Sequence, residues 1–194
     1  MGGQDSDSGI IRANGIDFEV LDVQRPVPGL IVHKVHLDGD LAVGDRVTAL
    51  VNPATRFGAC QAHTATHVIH AALRELVGPS ATQAGSYNKP GYLRFDFSAT
   101  KGLSDSLKDE IEERCNVAIH DDFEVTVVEL AGPWSRELCG GTHVASTGRI
   151  GMLSLLGEQS VGSGTRRVEA LVSTDAFRHM AAARALVNEL TGIL

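Results

Sequence analysis

Cysteine is scarce in this 194-residue chain: Cys60, Cys115 and Cys139 are the only three. Three scattered thiols cannot build the disulfide framework that staples small secreted domains, so they read as free thiols of a reducing compartment or as metal ligands. Long apolar runs are missing as well, and nothing approaches the roughly 18 residues that a membrane-crossing helix needs. The opening stretch, Met1-Gly-Gly-Gln-Asp-Ser-Asp-Ser-Gly9, has neither the basic nor the apolar region of a secretory signal. A cytoplasmic protein with no membrane partner is expected. Basic charge is also in short supply, since 17 Lys and Arg face 24 Asp and Glu for a net charge of −7. That balance argues against a wholly basic, nucleic-acid-coating surface. The acids are unevenly spread, however. The stretch 101–124 holds eight of them against three basic residues, which leaves the rest of the chain near neutral and able to offer a local phosphate-binding surface.

What is present is a change of period along the chain. Gly9–Arg12, Phe18–Val23, Leu30–Leu37 and Asp45–Val51 are short β-branched, alternating segments. Asn14-Gly15, Pro28-Gly29, Asp38-Gly39 and Val43-Gly44 punctuate them, a pattern that suggests a small barrel or curled sheet. From Cys60 to Val77 there is neither Gly nor Pro, and Ala65, Ile69, Ala72, Leu73 and Leu76 form a helical stripe that Gly78-Pro79 ends. Gln83 and Ser86, within Thr82-Gln-Ala-Gly-Ser86, read structurally as loop residues that cap backbone groups. Tyr92–Phe97 reads as a strand, and Ser104 opens a second helix with Leu107, Ile111 and Cys115 on one face. Glu124–Leu130, Ile150–Leu156 and Thr165–Leu171 read as strands. A last amphipathic helix runs from Asp175 to about Leu190. The fold class expected is α+β. Its parts would be a small β-barrel-like domain over 1–58, an antiparallel sheet with helices over 59–175, and a connecting helix over 176–194.

Two short motifs carry chemistry. His63-Thr-Ala-Thr-His67 places two imidazoles four residues apart, one above the other on a helix, where both can face one ion. Cys139-Gly-Gly-Thr-His143 sets a thiolate and an imidazole across a tight, glycine-rich turn. Either pair alone arises readily by chance. Together they make a His/His/Cys/His donor set suited to zinc. His70 lies on the same helical face as His67 and reads as a packing or supporting residue rather than a fifth ligand. His33, His36, His120 and His179 have no partner pattern.

Beyond these pairs, five motifs follow in order: His63-Thr-Ala-Thr-His-Val-Ile-His-Ala-Ala-Leu-Arg74, Leu93-Arg-Phe-Asp-Phe-Ser98, Glu137-Leu-Cys-Gly-Gly-Thr-His-Val144, Thr147-Gly-Arg-Ile-Gly151 and Gly164-Thr-Arg-Arg-Val-Glu-Ala170. This series resembles the editing domain of alanyl-tRNA synthetases and its free-standing trans-editing relatives, and the likeness covers nearly the whole chain. Gly2-Gly3-Gln4 with Asp7-Ser8-Gly9 resembles the family's run at the front of its β domain. The resemblance implies a deacylase that removes serine, and also glycine, from mischarged alanine tRNA. One Zn2+ per chain would be held by His63, His67, Cys139 and His143. The pocket residues carried over are Thr66, Gln83 and Ser86, with Cys139 counted among the catalytic residues. Thr66, one residue before a ligand, is placed to hydrogen-bond the serine hydroxyl.

The partners implied are the 3′ acceptor end of alanine tRNA and the aminoacylation and C-terminal domains of a parent synthetase. Arg94, Arg166 and Arg167 are candidates for phosphate or ribose contacts, or else for surface ion pairs. The family usually carries a further segment before the strand that leads to its Cys-Gly-Gly-Thr-His, whereas here Val125 runs straight into Thr126. A threonyl-type editing domain and a non-catalytic zinc module are the competing assignments.

Overall fold

The structure is a computed structural model that describes residues 3–37, 39–126, 134, 135, 137 and 139–192. The chain falls into two compact units. One is Asp5–Phe57; the other joins Gly58–Leu194 with the first four residues.

In the smaller unit four antiparallel strands pair in the order β3-β2-β1-β4. They are β1 (Gly9–Ala13), β2 (Ile16–Gln24), β3 (Val32–Val35) and β4 (Thr48–Val51). The β1–β2 hairpin turns through Asn14 and Gly15, both at positive φ, which matches the twist that a two-residue connection requires. Ala13, Phe18 and Val20 are the buried apolar residues here. β3 and β4 are the two ends of the described pairing, so the strands run as an open sheet over the described residues.

The larger unit sets three helices with a second antiparallel sheet. Its elements are α1 (Pro53–Leu76), β5 (Gln83–Lys89), β6 (Tyr92–Ser98), α2 (Asp105–His120), β7 (Leu153–Gly162), β8 (Thr165–Val172) and α3 (Ser173–Thr191). A short 3-10 turn, Thr147–Ile150, precedes β7. The strand order is β5-β6-β8-β7. Two antiparallel sheets with three helices are the α+β class expected.

α1 starts seven residues earlier than its apolar stripe suggests. The Asn52 carboxamide oxygen accepts from the backbone N–H of Ala54 at 3.0 Å, and Pro53 occupies the first helical position, where a missing N–H costs nothing. Ala62, Ala65, Ile69, Ala72 and Leu73 are fully buried along α1. They share one core with Leu93, Phe95 and Phe97 of β6 and Val168, Ala170 and Val172 of β8. The register pairs Leu93 with Ala170 and Phe95 with Val168, so these side chains fall on one face of the sheet. On α2, the Ser104 hydroxyl accepts from Leu107 N–H at 3.2 Å, and Ile111, Cys115, Ala118 and Ile119 are buried.

β5 corrects the reading of Gln83 and Ser86 as loop residues. Gln-Ala-Gly-Ser-Tyr-Asn-Lys is polar and contains Gly and Asn, both weak strand formers. It is held as a sheet edge by pairing with β6. The expected strand at Glu124–Leu130 lies mostly outside the described residues. Within them Glu124 forms an isolated bridge with Ser146. On α3 only Ala176 is buried, while Met180, Leu186, Val187 and Leu190 stay exposed, so most of its apolar stripe is uncovered in this chain.

Phe95 and Phe177 provide a contrast of burial at constant chemistry. Phe95→Ala should lower the unfolding free energy by about 3–5 kcal/mol, because a large ring leaves a closed core. Phe177 is 59% exposed, and its alanine variant should stay within about 0.5 kcal/mol of the parent. Urea unfolding of the two variants side by side checks both values.

Candidate metal centre

α1 fixes three of the relevant side chains by its register alone. His63, His67 and His70 are spaced four and then three apart, so they line one face of the helix. The loop from Cys139 to His143 brings the other two. One ligand atom from each of His63, His67, Cys139 and His143 lies within 4.8 Å of the other three. Cys139 Sγ stands 3.2 Å from His63 Nε2.

The donors fit a small cation. His67 Nε2 is buried without a hydrogen-bond partner, the condition of a lone pair that can face a cation, and His63 Nδ1 is likewise buried and unpartnered. Ligands about 2.0–2.3 Å from a tetrahedral ion stand about 3.3–3.8 Å from one another, so the cluster needs only slight contraction. Burial, and then the neighbouring His143 and His67, hold His63 down at about 3. Burial, and then His67, hold His143 at about 4. Both rings are therefore neutral and open to a cation at ordinary pH.

Several residues that the motif pairs do not reveal keep this cluster in place. Glu137 accepts hydrogen bonds from His67 Nδ1 and, at 2.7 Å, from His70 Nδ1. Burial alone would raise its carboxyl, but those two bonds outweigh it and bring it to about 2. A carboxylate on Nδ1 fixes the tautomer of His67 and leaves Nε2 free as a ligand. The other nitrogen of His70 faces the Ala81 carbonyl at 3.0 Å, so His70 serves as a brace, as its position on the helix suggested.

Thr64 receives the Val144 N–H at 3.1 Å and lies 3.4 Å from His143 Nδ1, so it pins the end of the loop to α1. Gly141 passes directly over the His63 ring, where any β-carbon would collide with Cε1. Gln4 reaches the same loop from far away in sequence. Its Nε2 donates to the Thr142 carbonyl at 3.0 Å, and its Oε1 accepts from the Thr142 N–H at 3.2 Å.

The other expected site residues are distributed differently. Thr66 is 3% exposed, and its hydroxyl faces the Ala62 carbonyl at 2.9 Å and Asn88 Oδ1 at 2.6 Å. Gln83 and Ser86 sit on β5, where Gln83 Nε2 donates to Ser86 Oγ at 3.2 Å. The three arginines all carry carboxylate partners. Arg167 forms a two-pronged pair with Asp96 at 2.6 and 2.9 Å, Arg166 forms one with Glu158, and Arg94 lies 3.9 Å from Asp96.

Acid should act on the metal-free chain through the histidines. Unfolded histidine titrates near 6.5, whereas folded His63 and His143 do so at about 3 and about 4. Between those values the unfolded chain holds more protons, so stability falls as pH drops from about 6.5 towards 4. Chemical denaturation in excess chelator from pH 7.5 to 4.5 should show that decline. His63→Gln combined with His143→Gln should flatten it.

Sequence comparison places these features among known proteins. Residues 125–169 match the family described as the threonyl and alanyl tRNA synthetase second additional domain. The chain is 87% identical to an alanine–tRNA ligase of Cutibacterium acnes, 53% to that of Paenarthrobacter aurescens and 52% to that of an Arthrobacter species. Each alignment covers 100% of this chain and 25% of the relative, so the chain spans about a quarter of the length of the curated relatives it matches. The alignments run over 221 residues against 194 here, in accord with a segment of these relatives that this chain lacks. The comparisons agree with the resemblance read from the five motifs: the whole chain aligns with a quarter-length part of alanine–tRNA ligases, and residues 125–169 match the second additional domain of threonyl and alanyl tRNA synthetases.

Proposed function

We propose that this chain hydrolyses the ester that joins a wrong amino acid, serine or glycine, to the 3′-terminal ribose of alanine tRNA. It would thereby act as the proofreading part of an alanyl-tRNA synthetase in the cytoplasm. The observation that carries this reading is the partly buried three-nitrogen, one-sulfur cluster in a chain whose relatives are alanine–tRNA ligases. We assign zinc to His63, His67, Cys139 and His143, because borderline-soft nitrogen and thiolate donors in a four-membered set suit that ion best. A bound zinc ion supplies electrostatic polarisation of the ester carbonyl or of an attacking water.

The need for such a site follows from the size of the substrates. Serine exceeds alanine by one hydroxyl, and an apolar synthetic pocket rejects such an isostere only about a hundredfold. A second pocket that demands the hydroxyl inverts the selection. Thr66 stands between His63 and His67 in the sequence of α1, so its place is fixed by the same helix that carries two members of the cluster. Gln83 and Ser86, joined to each other on the edge strand, are the remaining pocket residues in this reading. Glu137 and His70 hold His67, and Gln4 and Thr64 hold the loop that carries Cys139 and His143.

Partners in this reading are the 3′ acceptor end of alanine tRNA and the aminoacylation and C-terminal domains of the parent synthetase. Arg94, Arg166 and Arg167 would meet RNA by exchanging a carboxylate for a phosphate, so each contributes less than a free arginine would. Deacylation of serine-charged alanine tRNA, with metal analysis of the same preparation, tests the proposal. One zinc per chain and hydrolysis of the seryl ester are expected. Cys139→Ala should lose the metal and lower the rate at least about a hundredfold, as loss of a ligand does. Folded, metal-free protein that retains full activity would overturn the assignment.

A further inference from the structure

Asn88 is fully buried on β5, yet its Nδ2 has no hydrogen-bond partner. Its Oδ1 lies 2.6 Å from Thr66 Oγ1. The Thr66 hydroxyl owns one proton and faces two oxygens, Asn88 Oδ1 and the Ala62 carbonyl at 2.9 Å. Only one of them can receive it. Turning the amide end for end lets Asn88 Nδ2 donate to Thr66 while Thr66 donates to Ala62. The amide oxygen is then the atom without a partner. In either setting one heteroatom of a wholly buried carboxamide is unpaired, a destabilisation that folded proteins rarely retain without a ligand to relieve it.

The backbone explains why Asn88 keeps this position. Its N–H donates to the Gly3 carbonyl at 2.7 Å, and it bridges Gln4 in parallel register. Gln4 in turn holds Thr142 of the metal loop. The strand that carries the carboxamide is therefore tied to the same loop as Cys139 and His143. Its side chain meets α1 at Thr66, between His63 and His67.

We infer that Asn88 determines specificity: its carboxamide and Thr66 Oγ1 together form the donor–acceptor pair that reads the β-hydroxyl of an esterified serine. This rests on the editing reading above. A hydroxyl both donates and accepts, so the pair of atoms it needs is the free lone pair of Thr66 and the unpaired end of the amide. An alanyl ester offers a methyl there and leaves the amide unpaired, so it gains nothing. A glycyl ester lacks the side chain altogether and enters by size, independently of Asn88. The contribution of Asn88 is thus confined to serine.

Asn88→Asp keeps the size and removes the donor, and Asn88→Leu removes both polar atoms while leaving the backbone bond to Gly3 in place. Each variant is loaded with zinc, checked for metal content and thermal unfolding, and assayed on alanine tRNA charged with serine or with glycine. The seryl kcat/KM should fall about tenfold or more, the kinetic equivalent of one hydrogen bond to a group otherwise left unpaired, while the glycyl value stays within about threefold. A parallel fall on both esters in the Asp variant, or no fall on either, overturns the role of Asn88 and leaves the editing reading intact. A parent chain that hydrolyses neither ester overturns the editing reading and this inference with it.

Discussion

Three imidazoles and a thiol within 4.8 Å of one another are poor neighbours unless a cation stands among them. Each presents a lone pair, and burial, complete at His63 and partial at the other three, limits the water that would otherwise hydrate them. Protonation offers no relief, since burial and mutual proximity hold both His63 and His143 below the pH at which they would charge. The surrounding structure supplies the restraint. Glu137 clamps His67 from its far nitrogen, Thr64 fastens the loop beyond His143, and Gly141 gives way to the His63 ring. Each of these contacts acts on geometry, and together they hold a constellation that its own members oppose.

α1 is asked to do two jobs with one sequence. Its apolar residues Ala62, Ala65, Ile69, Ala72 and Leu73 are fully buried in one core with Phe95, Phe97 and Val168 of the sheet. The same turns display His63, Thr66, His67 and His70. Because the two sets of residues interleave at helical spacing, a shift that repacks the core also rotates the histidines. Stability and site geometry are coupled here through a single rigid element, and close packing leaves little slack for one to change alone.

The cluster was legible because its members come in two local pairs. His63 with His67, and Cys139 with His143, are each set by short-range geometry that spacing reports directly. The α+β class was legible for the same reason, since the change from alternating to helical periods is local. What spacing could not report is contact between distant residues. Glu137 faces His67 across 70 residues of chain, Gln4 faces Thr142 across 138, and nothing in the neighbourhood of either announces the pairing. Gln83 and Ser86 were read as loop residues because pairing with β6, rather than its own composition, makes β5 a strand. The arginines beside the family motifs looked available for phosphate until their cross-strand acids, Asp96 and Glu158, came into view. Curling of the first sheet into a barrel depends on closure between β3 and β4, a long-range event that alternation does not encode.

The attachment of Gln4 to Thr142, in the loop of Cys139 and His143, makes the smaller unit an excursion. The polypeptide leaves the larger unit after residue 4, builds a four-stranded sheet, and returns at Gly58. Were that stretch a floppy loop, closing it would cost on the order of 3.5 kcal/mol in chain entropy before Gln4 could reach its place. The sheet removes much of this expense, because Asn52 donates to the Ser8 carbonyl at 2.9 Å and so draws the two ends of the excursion together. In kinetic terms the small sheet is a prefabricated clasp. Once it has formed, the earliest part of the chain stands beside the start of α1 as though it were a sequence neighbour of Ala59, whose carbonyl Gln4 Nε2 faces at 3.5 Å, and the path left to Thr142 is the one that α1 itself has to cover.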